Sequence, residues 1–539
     1  MQLNKYTIHR NSRIVATALM LAAAAVGFSA APTAAVTFKY AFQGDLNALD
    51  PYTLNETFTL GAMGNVMEGL TKRDKDLKIV PGLAEKWEIA EPTRWRFYLR
   101  KGVRYHGGED FTADDVVFSL ERMRTEASQL KSRAPADMKA VKVDDFTVDF
   151  ILSQPNPILH AEWDTWYIFS KKWSEAVGAT QVQSAKSTSL SNWALKANGT
   201  GPFTIVSHEP GVKTVFKKHP GWWGKVEHNL DEVIFNTIKS DATRVAALLS
   251  GEVDLIEPVP VQDMERIAAD PKSLVMTGPE LRTIFLNFDS FRDELKYSSV
   301  KGKNPFKDPR VRKAFYQAVD IEAIKTKVMR GQATPSAILI SPLLFARSAE
   351  FKRHAYDVDA AKKLMADAGY PDGFELRMDC PNDRYVNDAA ICQAVAAMLA
   401  RINVKVTLNA QPKAKFFEFA GPTGKYDSSF NMLGWTPGSF DSHNVLTNII
   451  GCRDADGKNA QFNYGGYCNP KVDALAKLVT SETDQAKRDA MIYDAFKIVH
   501  DEVGVLPLHQ QALAWGVSKS TSIPQRADNQ ILFYWAQKK

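Results

Sequence analysis

The sequence has little of several features that would point to particular classes of protein. Its 539 residues contain one long apolar run, at the N-terminus, which excludes a protein with several membrane spans. Lysine and arginine exceed aspartate and glutamate by only 67 − 62 = 5, too small an excess for a nucleic-acid-binding surface on so long a chain. The composition, 45% apolar and 24% charged, is that of a folded protein, and the length predicts at least two domains.

The sequence also lacks the compact motifs that mark many catalytic centres. It has no G-x-S-x-G, H-E-x-x-H or G-x-x-x-x-G-K-[ST] string, and its ten histidines are scattered. A hydrolase would have to assemble its site from residues such as Ser439, Asp441 and His443, an alternative that spacing alone leaves open. We therefore predict a binding protein that has no catalytic residues and holds neither a metal ion nor a cofactor.

The first 35 residues have the layout of a secretory signal peptide. Three basic residues precede an apolar run from 14 to 28, and small residues follow it up to Ala35. A run of fifteen residues is short for a bilayer core of about 30 Å, so we favour a cleaved leader over a membrane anchor. We expect the mature chain to begin at Val36. No cysteine lies directly after the apolar run, so we expect no lipid anchor.

The chain has only four cysteines, and in an exported protein they favour disulfides over metal ligands. Pairing Cys380 with Cys392 and Cys452 with Cys468 closes short loops and costs the least chain entropy of the three connectivities. A zinc site is the competing interpretation, but the sequence has no C-x-x-C and no histidine at zinc-finger spacing. We favour the two local disulfides.

The periodicity of apolar residues predicts a mixed α/β chain. Short β-branched or aromatic runs predict strands at 37–42, 94–100, 146–152, 213–217, 232–238 and 283–288. Helices are predicted after Thr112, from Pro309, and from Ala360 up to Gly369. No long low-complexity linker appears, so we expect several close chain crossings between domains.

One tryptophan lies in a setting typical of a binding loop. Trp435 is followed by Thr436 and Gly438 in a stretch of turn-forming residues, directly after the apolar segment 430–433. Aromatic side chains give a large contact area at small rotamer cost, and a cleft between domains can bury most of a small ligand. We therefore expect the ring of Trp435 to contact a ligand.

Several stretches of the sequence resemble one protein family. The longest is PGLAEKWEIAEPTRWRFYLRKGVRYHGGEDFTADDVVFSLERM from Pro81, and the others are GTGPF at 199, SGEVDLI at 250, NPFKDPRVRKAFYQAVD at 304, AAKKLMADAGYPDGFEL at 360, GW at 434 and NPKVDALAKLV at 469. In this order they resemble the family 5 extracellular solute-binding proteins, which are the dipeptide, oligopeptide and nickel binders of ATP-binding-cassette (ABC) importers. The likeness spans essentially the whole mature chain.

The resemblance implies a two-lobed α/β fold of the periplasmic-binding-protein type (type II, cluster C) with an extra inserted domain. Lobe I would comprise residues 36–70, 196–283 and 508–539, the inserted domain 71–195, and lobe II 284–507. Ligand would be held between the lobes when they close, and the membrane permease would recognise that closed state.

The resemblance also implies a periplasmic receptor for import that is not an enzyme. Its partners would be a small peptide-like solute, such as a dipeptide or oligopeptide, and the transmembrane permease subunits with their cytoplasmic ATPases. Opines, modified amino acids and oligosaccharides are carried by relatives and stay open as alternative ligands. We expect a monomer without a cofactor, a nucleic-acid partner or a stable membrane anchor.

The resemblance also implies which residues bind the ligand. In the dipeptide binders an arginine after a Pro-Asn pair holds the peptide carboxylate, and Arg384 in the segment Pro381–Arg384 resembles it; an exposed arginine beside a disulfide is the alternative. The family's ammonium-binding aspartate lies three residues after the loop tryptophan, where this chain has Gly438. Asp441 is a candidate replacement, or the ligand has no ammonium there.

Overall fold

A computed structural model describes residues 35–46, 48–134, 137–184, 196–454 and 460–539 of the chain. Val36–Lys539 forms one compact unit. Apart from Ala35, the predicted signal peptide lies outside the described residues. Within the described ranges, no helix is long and apolar enough to cross a membrane. No group of three histidine, cysteine or acidic side chains in these ranges is placed to hold a metal ion.

Strands and helices alternate along the chain. The strands are β1 Thr37–Phe42, β2 Thr71–Arg73, β3 Ile79–Pro81, β4 Ala84–Glu91, β5 Arg94–Leu99, β6 Lys139–Asp144, β7 Thr147–Ile151, β8 Phe203–Glu209, β9 Lys213–Lys218, β10 Glu232–Thr237, β11 Leu255–Glu257, β12 Ser273–Phe288, β13 Ala333–Pro335, β14 Phe374–Pro381, β15 Val404–Gln411, β16 Phe430–Trp435, β17 Leu506–Ser518, β18 Thr521–Ser522 and β19 Gln537–Lys538. The helices are α1 Thr57–Met63, α2 Ala113–Met123, α3 Leu159–Glu162, α4 Lys171–Val177, α5 Asp241–Ser250, α6 Met264–Ala268, α7 Pro309–Ala318, α8 Ile321–Ala323, α9 Val358–Asp367, α10 Asp388–Leu399, α11 Lys413–Ala420, α12 Ser442–Asn448, α13 Pro470–Val479 and α14 Gln485–Asp501. This confirms the predicted mixed α/β class.

Local sequence signals account for most of these boundaries. Helix α2 begins after Thr112, whose backbone N–H donates to the carboxylate of Asp115 at 2.8 Å. Helix α7 begins at Pro309, as predicted, and Gly369 follows α9 with a φ of 88°, the left-handed conformation that glycine adopts without strain. Strand β12 begins ten residues earlier than predicted, because its first half contains Gly278 and lacks a clean apolar pattern.

Most strands join one large sheet. Its order is β15-β14-β16-β12-β17-β11-β1-β10-β9-β8, with β13 also paired to β17. A separate four-stranded antiparallel sheet has the order β4-β5-β7-β6, and β2-β3 and β18-β19 form two small pairs. The parallel pairs β1–β10, β1–β11 and β14–β15 need crossover connections, which explains why helices lie between many of these strands in sequence.

Two long antiparallel strands, β12 and β17, link the halves of the large sheet. The end of β17 pairs with β11, whereas residues 283–288 of β12 pair with β16. Between these regions Pro279 pairs with Ala512 and Thr283 with Gln510, so residues 280–282 oppose a single residue of β17. We call residues 280–282 together with Gln511 the strand crossing. It joins two sections of sheet that have different neighbours.

The buried apolar residues form cores on both sides of the strand crossing. The first core takes residues from β1, β5, β7 to β10 and the C-terminal segment, with Phe38, Phe97 and Trp515 fully buried. The second core lies beyond the crossing and includes Phe288 and Phe430. The predicted lobe boundaries at 283/284 and 507/508 therefore fall inside β12 and β17, and the domain limits stay a prediction.

All four cysteines are paired in the two local disulfides that the sequence favoured. The sulfur atoms of Cys380 and Cys392 are 2.01 Å apart, and those of Cys452 and Cys468 are 2.11 Å apart. Cys380 lies near the end of β14 and Cys392 lies in α10, and both are fully buried. This disulfide therefore fixes both ends of the loop that connects the strand to the helix.

We predict that replacing Cys380 and Cys392 together by serine lowers the free energy of unfolding by about 3 kcal/mol. The bond restricts the unfolded chain, and its loss also leaves two hydroxyl groups in an apolar environment. Urea denaturation followed by tryptophan fluorescence measures the change. An unfolding free energy equal to that of the parent chain would contradict the prediction.

Candidate ligand-binding cleft

A cleft of about 2010 Å³ opens beside the strand crossing. Its walls come from elements on both sides, including Phe58 of α1 and Glu257 of β11 on one side, and Trp435 of β16 and Asn444 of α12 on the other. Sites for small ligands typically measure roughly 300–1,000 Å³. The cleft therefore has room for a ligand larger than a single amino acid together with water.

Four of the five ligand-binding residues predicted from the sequence line this cleft. They are Arg384, Trp435, Thr436 and Gly438. Arg384 belongs to the loop that follows β14, and the other three belong to the segment that follows the apolar core of β16. Residues far apart in the sequence thus meet in one cavity. Their predicted contacts with a ligand stay a prediction.

The loop that carries Arg384 is fixed by hydrogen bonds to Asp388, the first residue of the helix that follows it. The carboxylate of Asp388, at the start of α10, accepts the backbone N–H groups of Arg384 and Tyr385 at 2.9 and 3.0 Å. The Arg384 guanidinium lies 5.3 Å from the centroid of the Tyr385 ring. Within the described part of the chain, no carboxylate lies within 4.0 Å of it. Burial lowers the pKa of Arg384, and the positive charge of Arg282 lowers it further, against Tyr385 and the more distant carboxylates of Glu56 and Glu280.

A glycine allows Tyr385 to occupy its place under Arg384. A Cβ atom added to Gly434 would lie 2.7 Å from the Tyr385 ring and 2.7 Å from the end of the Ile284 side chain. Both distances are too short for carbon atoms, so only glycine fits at this position of β16. The tyrosine hydroxyl donates to the carbonyl oxygen of Gly434 at 3.3 Å. Gly434, the glycine of the Gly-Trp pair noted in the sequence, thus makes room for the Tyr385 ring and also accepts a hydrogen bond from its hydroxyl group.

The segment after β16 presents uncharged polar groups to the cleft. The Trp435 indole N–H donates to Asn444 Oδ1 at 2.9 Å, and the ring lies 4.8 Å from that of Phe462. Thr436, Ser439 and His443 line the cleft, and each has one buried side-chain atom without a hydrogen-bond partner among the described residues, namely Thr436 Oγ1, Ser439 Oγ and His443 Nε2.

Asp441 is the exception among the predicted ligand-binding residues, because its carboxylate is already used. Arg488 donates to both carboxylate oxygens at 2.6 and 2.8 Å, and the backbone N–H of His443 donates at 2.8 Å. Burial alone would raise the pKa of Asp441, but the Arg488 ion pair holds it below its usual range. Asp441 does not line the cleft, so we assign it to positioning the loop at the start of α12.

The same contacts bear on the hydrolase alternative. A triad needs a serine hydroxyl bonded to an imidazole that is oriented by a carboxylate. Here Ser439 Oγ and His443 Nε2 make no hydrogen bond within the described ranges, and Asp441 is paired with Arg488. The three residues are close in sequence but form no catalytic arrangement.

Sequence reasoning missed the polar network of the strand crossing. Glu280 accepts a hydrogen bond from Arg282 Nε at 3.1 Å and another from Gln511 Nε2 at 2.8 Å. Gln511 Oε1 in turn accepts the backbone N–H of Val386 at 3.1 Å. The network therefore ties the crossing to the loop of Arg384. The signal in the sequence is a pair of charges, Glu280 and Arg282, directly before an apolar strand.

A second glutamate on the cleft wall has an unusual pKa. Burial raises the pKa of Glu257 to about 7, and the nearby carboxylates of Glu280 and Glu56 raise it too, against the hydrogen bond from Asn529 and the charge of Arg244. The Asn529 amide donates to Glu257 Oε1 at 2.9 Å. Glu257 is 8% exposed. Near neutral pH it is thus partly protonated.

We predict that Glu257→Gln makes the protein less sensitive to alkaline destabilisation. The folded state holds the Glu257 proton more tightly than the unfolded state does, so this stabilisation is complete below pH ~4.5 and is lost as the pH rises through about 7. The variant keeps the acceptor for Asn529 but cannot ionise. Relative to the parent it should gain up to about 3 kcal/mol between pH 5 and 8.5 in urea denaturation.

A matched control is Glu265→Gln, which removes an exposed glutamate on α6. Its pH profile should run parallel to that of the parent chain. If the Glu257→Gln profile were also parallel to that of the parent, the assigned protonation of Glu257 would be wrong.

Comparison with known proteins places this geometry in a family. Residues 78–457 match the family model for bacterial extracellular solute-binding proteins, family 5 middle region. Heme-binding protein A of Haemophilus influenzae is 27% identical over 461 residues, covering 80% of this chain and 78% of that protein. The dipeptide-binding protein of Escherichia coli is 25% identical over 504 residues, covering 88% and 90%. The periplasmic binding protein DppA of Helicobacter pylori, solved with the peptide STSA, has a TM-score of 0.78 at 23% identity, covering 93% of this chain and 98% of that one.

The structural likeness confirms the predicted fold class, that of the periplasmic binding proteins. The matched relatives are solute-binding proteins rather than enzymes, in agreement with the prediction made from the missing catalytic motifs. Because the family model covers most of the chain, this protein belongs to the bacterial extracellular solute-binding proteins of family 5.

Proposed function

We propose that this protein is the periplasmic substrate-binding component of an ABC importer that captures a peptide-like solute. The solute is a short peptide or a compound with the same end groups, and it is delivered to a transmembrane permease driven by cytoplasmic ATPases. The signal-peptide layout of residues 1–35 supports export to the periplasm. The family supports a role in solute capture.

The observation that carries the proposal is the unpaired guanidinium of Arg384. It lines the cleft, is partly buried, and has no carboxylate of the described residues within 4.0 Å. A buried positive charge without a counter-charge is costly unless a ligand supplies one. A carboxylate fits best, because the planar guanidinium can donate two parallel hydrogen bonds to it.

The strand crossing supports capture by closure. It is where β12 and β17 exchange one set of neighbouring strands for another, and the cleft opens beside it. We propose that the two halves rotate about this crossing and that ligand contacts from both sides stabilise the closed state. A ligand shifts such an equilibrium only through its better binding to one state. Arg384 and Glu257 lie on opposite sides of the crossing, so a ligand that contacts both would bind the closed state better than the open state.

Two named relatives support a peptide-like ligand. The Escherichia coli protein is a dipeptide-binding protein, and the Helicobacter pylori structure holds a tetrapeptide. The uncharged lining at Thr436, Ser439 and His443 suits the amide groups of a peptide and also the hydroxyl groups of opines or sugars. The carboxylate partner proposed for Arg384 favours an acid over a neutral oligosaccharide.

Native mass spectrometry of the protein purified from its host tests the proposed ligand class. We expect a retained mass that fragments as a short peptide or a related amino-acid conjugate. Thermal shift with di-, tri- and tetrapeptide pools provides the second readout, since a ligand at ~100 times its Kd adds about 2.7 kcal/mol of stability. Haem, a neutral sugar, or no stabilising compound in either assay would contradict the proposal.

We predict that Arg384→Gln weakens binding of the best peptide of that screen by roughly 30- to 100-fold. The substitution removes the charge-assisted hydrogen bonds to the carboxylate, which contribute on the order of 2 to 3 kcal/mol. Isothermal titration calorimetry measures the change. Arg310→Gln, an exposed arginine outside the cleft that is paired with Asp308, is the matched control and should bind like the parent. Equal affinity in both variants would remove Arg384 from the site.

A further inference from the structure

Arg384 has a neighbour of the same charge at the strand crossing. We propose that Arg282 is a second carboxylate-binding residue, so that the ligand carboxylate is held between the guanidinium groups of Arg282 and Arg384. This inference rests on the proposed function and deepens it. It makes the free carboxylate, rather than the rest of the solute, the main determinant of ligand selection.

The two guanidinium groups have the Tyr385 ring as a common neighbour. The Arg282 guanidinium carbon lies 5.8 Å from the centroid of the Tyr385 ring, and that of Arg384 lies 5.3 Å from it. Both arginines line the cleft. Like charges so placed repel each other, and an anion between them converts that repulsion into attraction. Tyr385 packs against Gly434, and the guanidinium groups of Arg282 and Arg384 both lie within 6 Å of the centroid of its ring.

The hydrogen-bond donors of the pair are mostly unused. Arg282 donates only from its Nε, to Glu280 at 3.1 Å. Its two terminal nitrogens make no hydrogen bond within the described residues. The same is true of all three guanidinium nitrogens of Arg384. A carboxylate offers two oxygen atoms with about four acceptor sites, which match these donors. Glu280 forms an ion pair with Arg282, which leaves Arg384 as the member of the pair without a carboxylate within 4.0 Å among the described residues.

The strand crossing fixes the spacing of the pair. Glu280 accepts hydrogen bonds from Arg282 and Gln511, and Gln511 accepts the N–H of Val386, two residues after Arg384. Both arginines are thus tied to the place where residues 280–282 oppose Gln511 alone. A carboxylate that bridges them also bridges the crossing and the wall of the cleft. Anchoring the ligand there joins its binding to the geometry about which we propose closure.

The test compares a free acid with its amide. The probes are the best free-acid peptide of the thermal-shift screen and the same peptide with a C-terminal amide, titrated by calorimetry. The parent should prefer the acid strongly, and Arg282→Gln should reduce that preference at least about tenfold while changing amide affinity little. An acid-to-amide ratio unchanged in Arg282→Gln would overturn the inference.

Two further variants separate binding from structure. Arg282→Gln leaves Glu280 without its ion pair, so Glu280→Gln combined with Arg282→Gln restores a neutral hydrogen-bonded pair and should show the same loss of acid preference. Arg310→Gln, outside the cleft, should keep the parent ratio. If the double variant regained the parent ratio, the effect of Arg282 would be structural and the inference would be wrong.

Failure of the proposed function gives a different result. If the parent bound an opine acid but no peptide, the peptide-like assignment would fall, and the arginine pair would be tested with that acid and its amide in the same variants. If no compound with a carboxylate bound the parent, both the function and the arginine pair would be overturned.

Discussion

The positive charge of Arg384, which lines the cleft and has no carboxylate within 4.0 Å among the residues that the structure describes, is the constraint from which the rest of this site follows. Burying a guanidinium costs free energy, and proteins normally offset that cost with a carboxylate of their own. Two buried arginines of this chain follow that practice, since Arg122 pairs with Asp50 and Arg488 with Asp441. Arg384 has no such partner among the described residues, and because it lines a cleft of about 2010 Å³, we propose that a ligand supplies the anion.

The fold serves this arrangement through its long strands. Because β12 and β17 run through both halves of the large sheet, the residues at their crossing keep a fixed relation to the second core while facing elements of the first. The Glu280–Gln511 hydrogen bond joins the two strands there, and Gln511 reaches the Arg384 loop through Val386. The charged groups and the strand topology therefore meet at one place, where we propose both the ligand anchor and the closing motion.

The sequence predicted those parts of the site that depend on neighbouring residues. Arg384 and Trp435 each lie in a short contiguous motif, and both line the cleft, Arg384 from a loop and Trp435 from the end of β16. Arg282 and Gln511 were missed because they matter only through a strand pairing between residues more than 200 positions apart. Asp441 was expected to face the ligand, since nothing near it in the sequence reveals that Arg488 takes its carboxylate.

The same distinction holds for the fold. Helices with local start signals, such as those at Thr112 and Pro309, were predicted closely, whereas the first half of β12 needed the pairing with β17 to be recognised. A crystal structure of the protein with the solute that it retains from its host tests most directly whether a ligand carboxylate pairs with Arg384. We expect a carboxylate oxygen about 2.7–2.9 Å from a guanidinium nitrogen of Arg384. A bound solute with no acidic group, or one seated outside the cleft, would contradict this expectation.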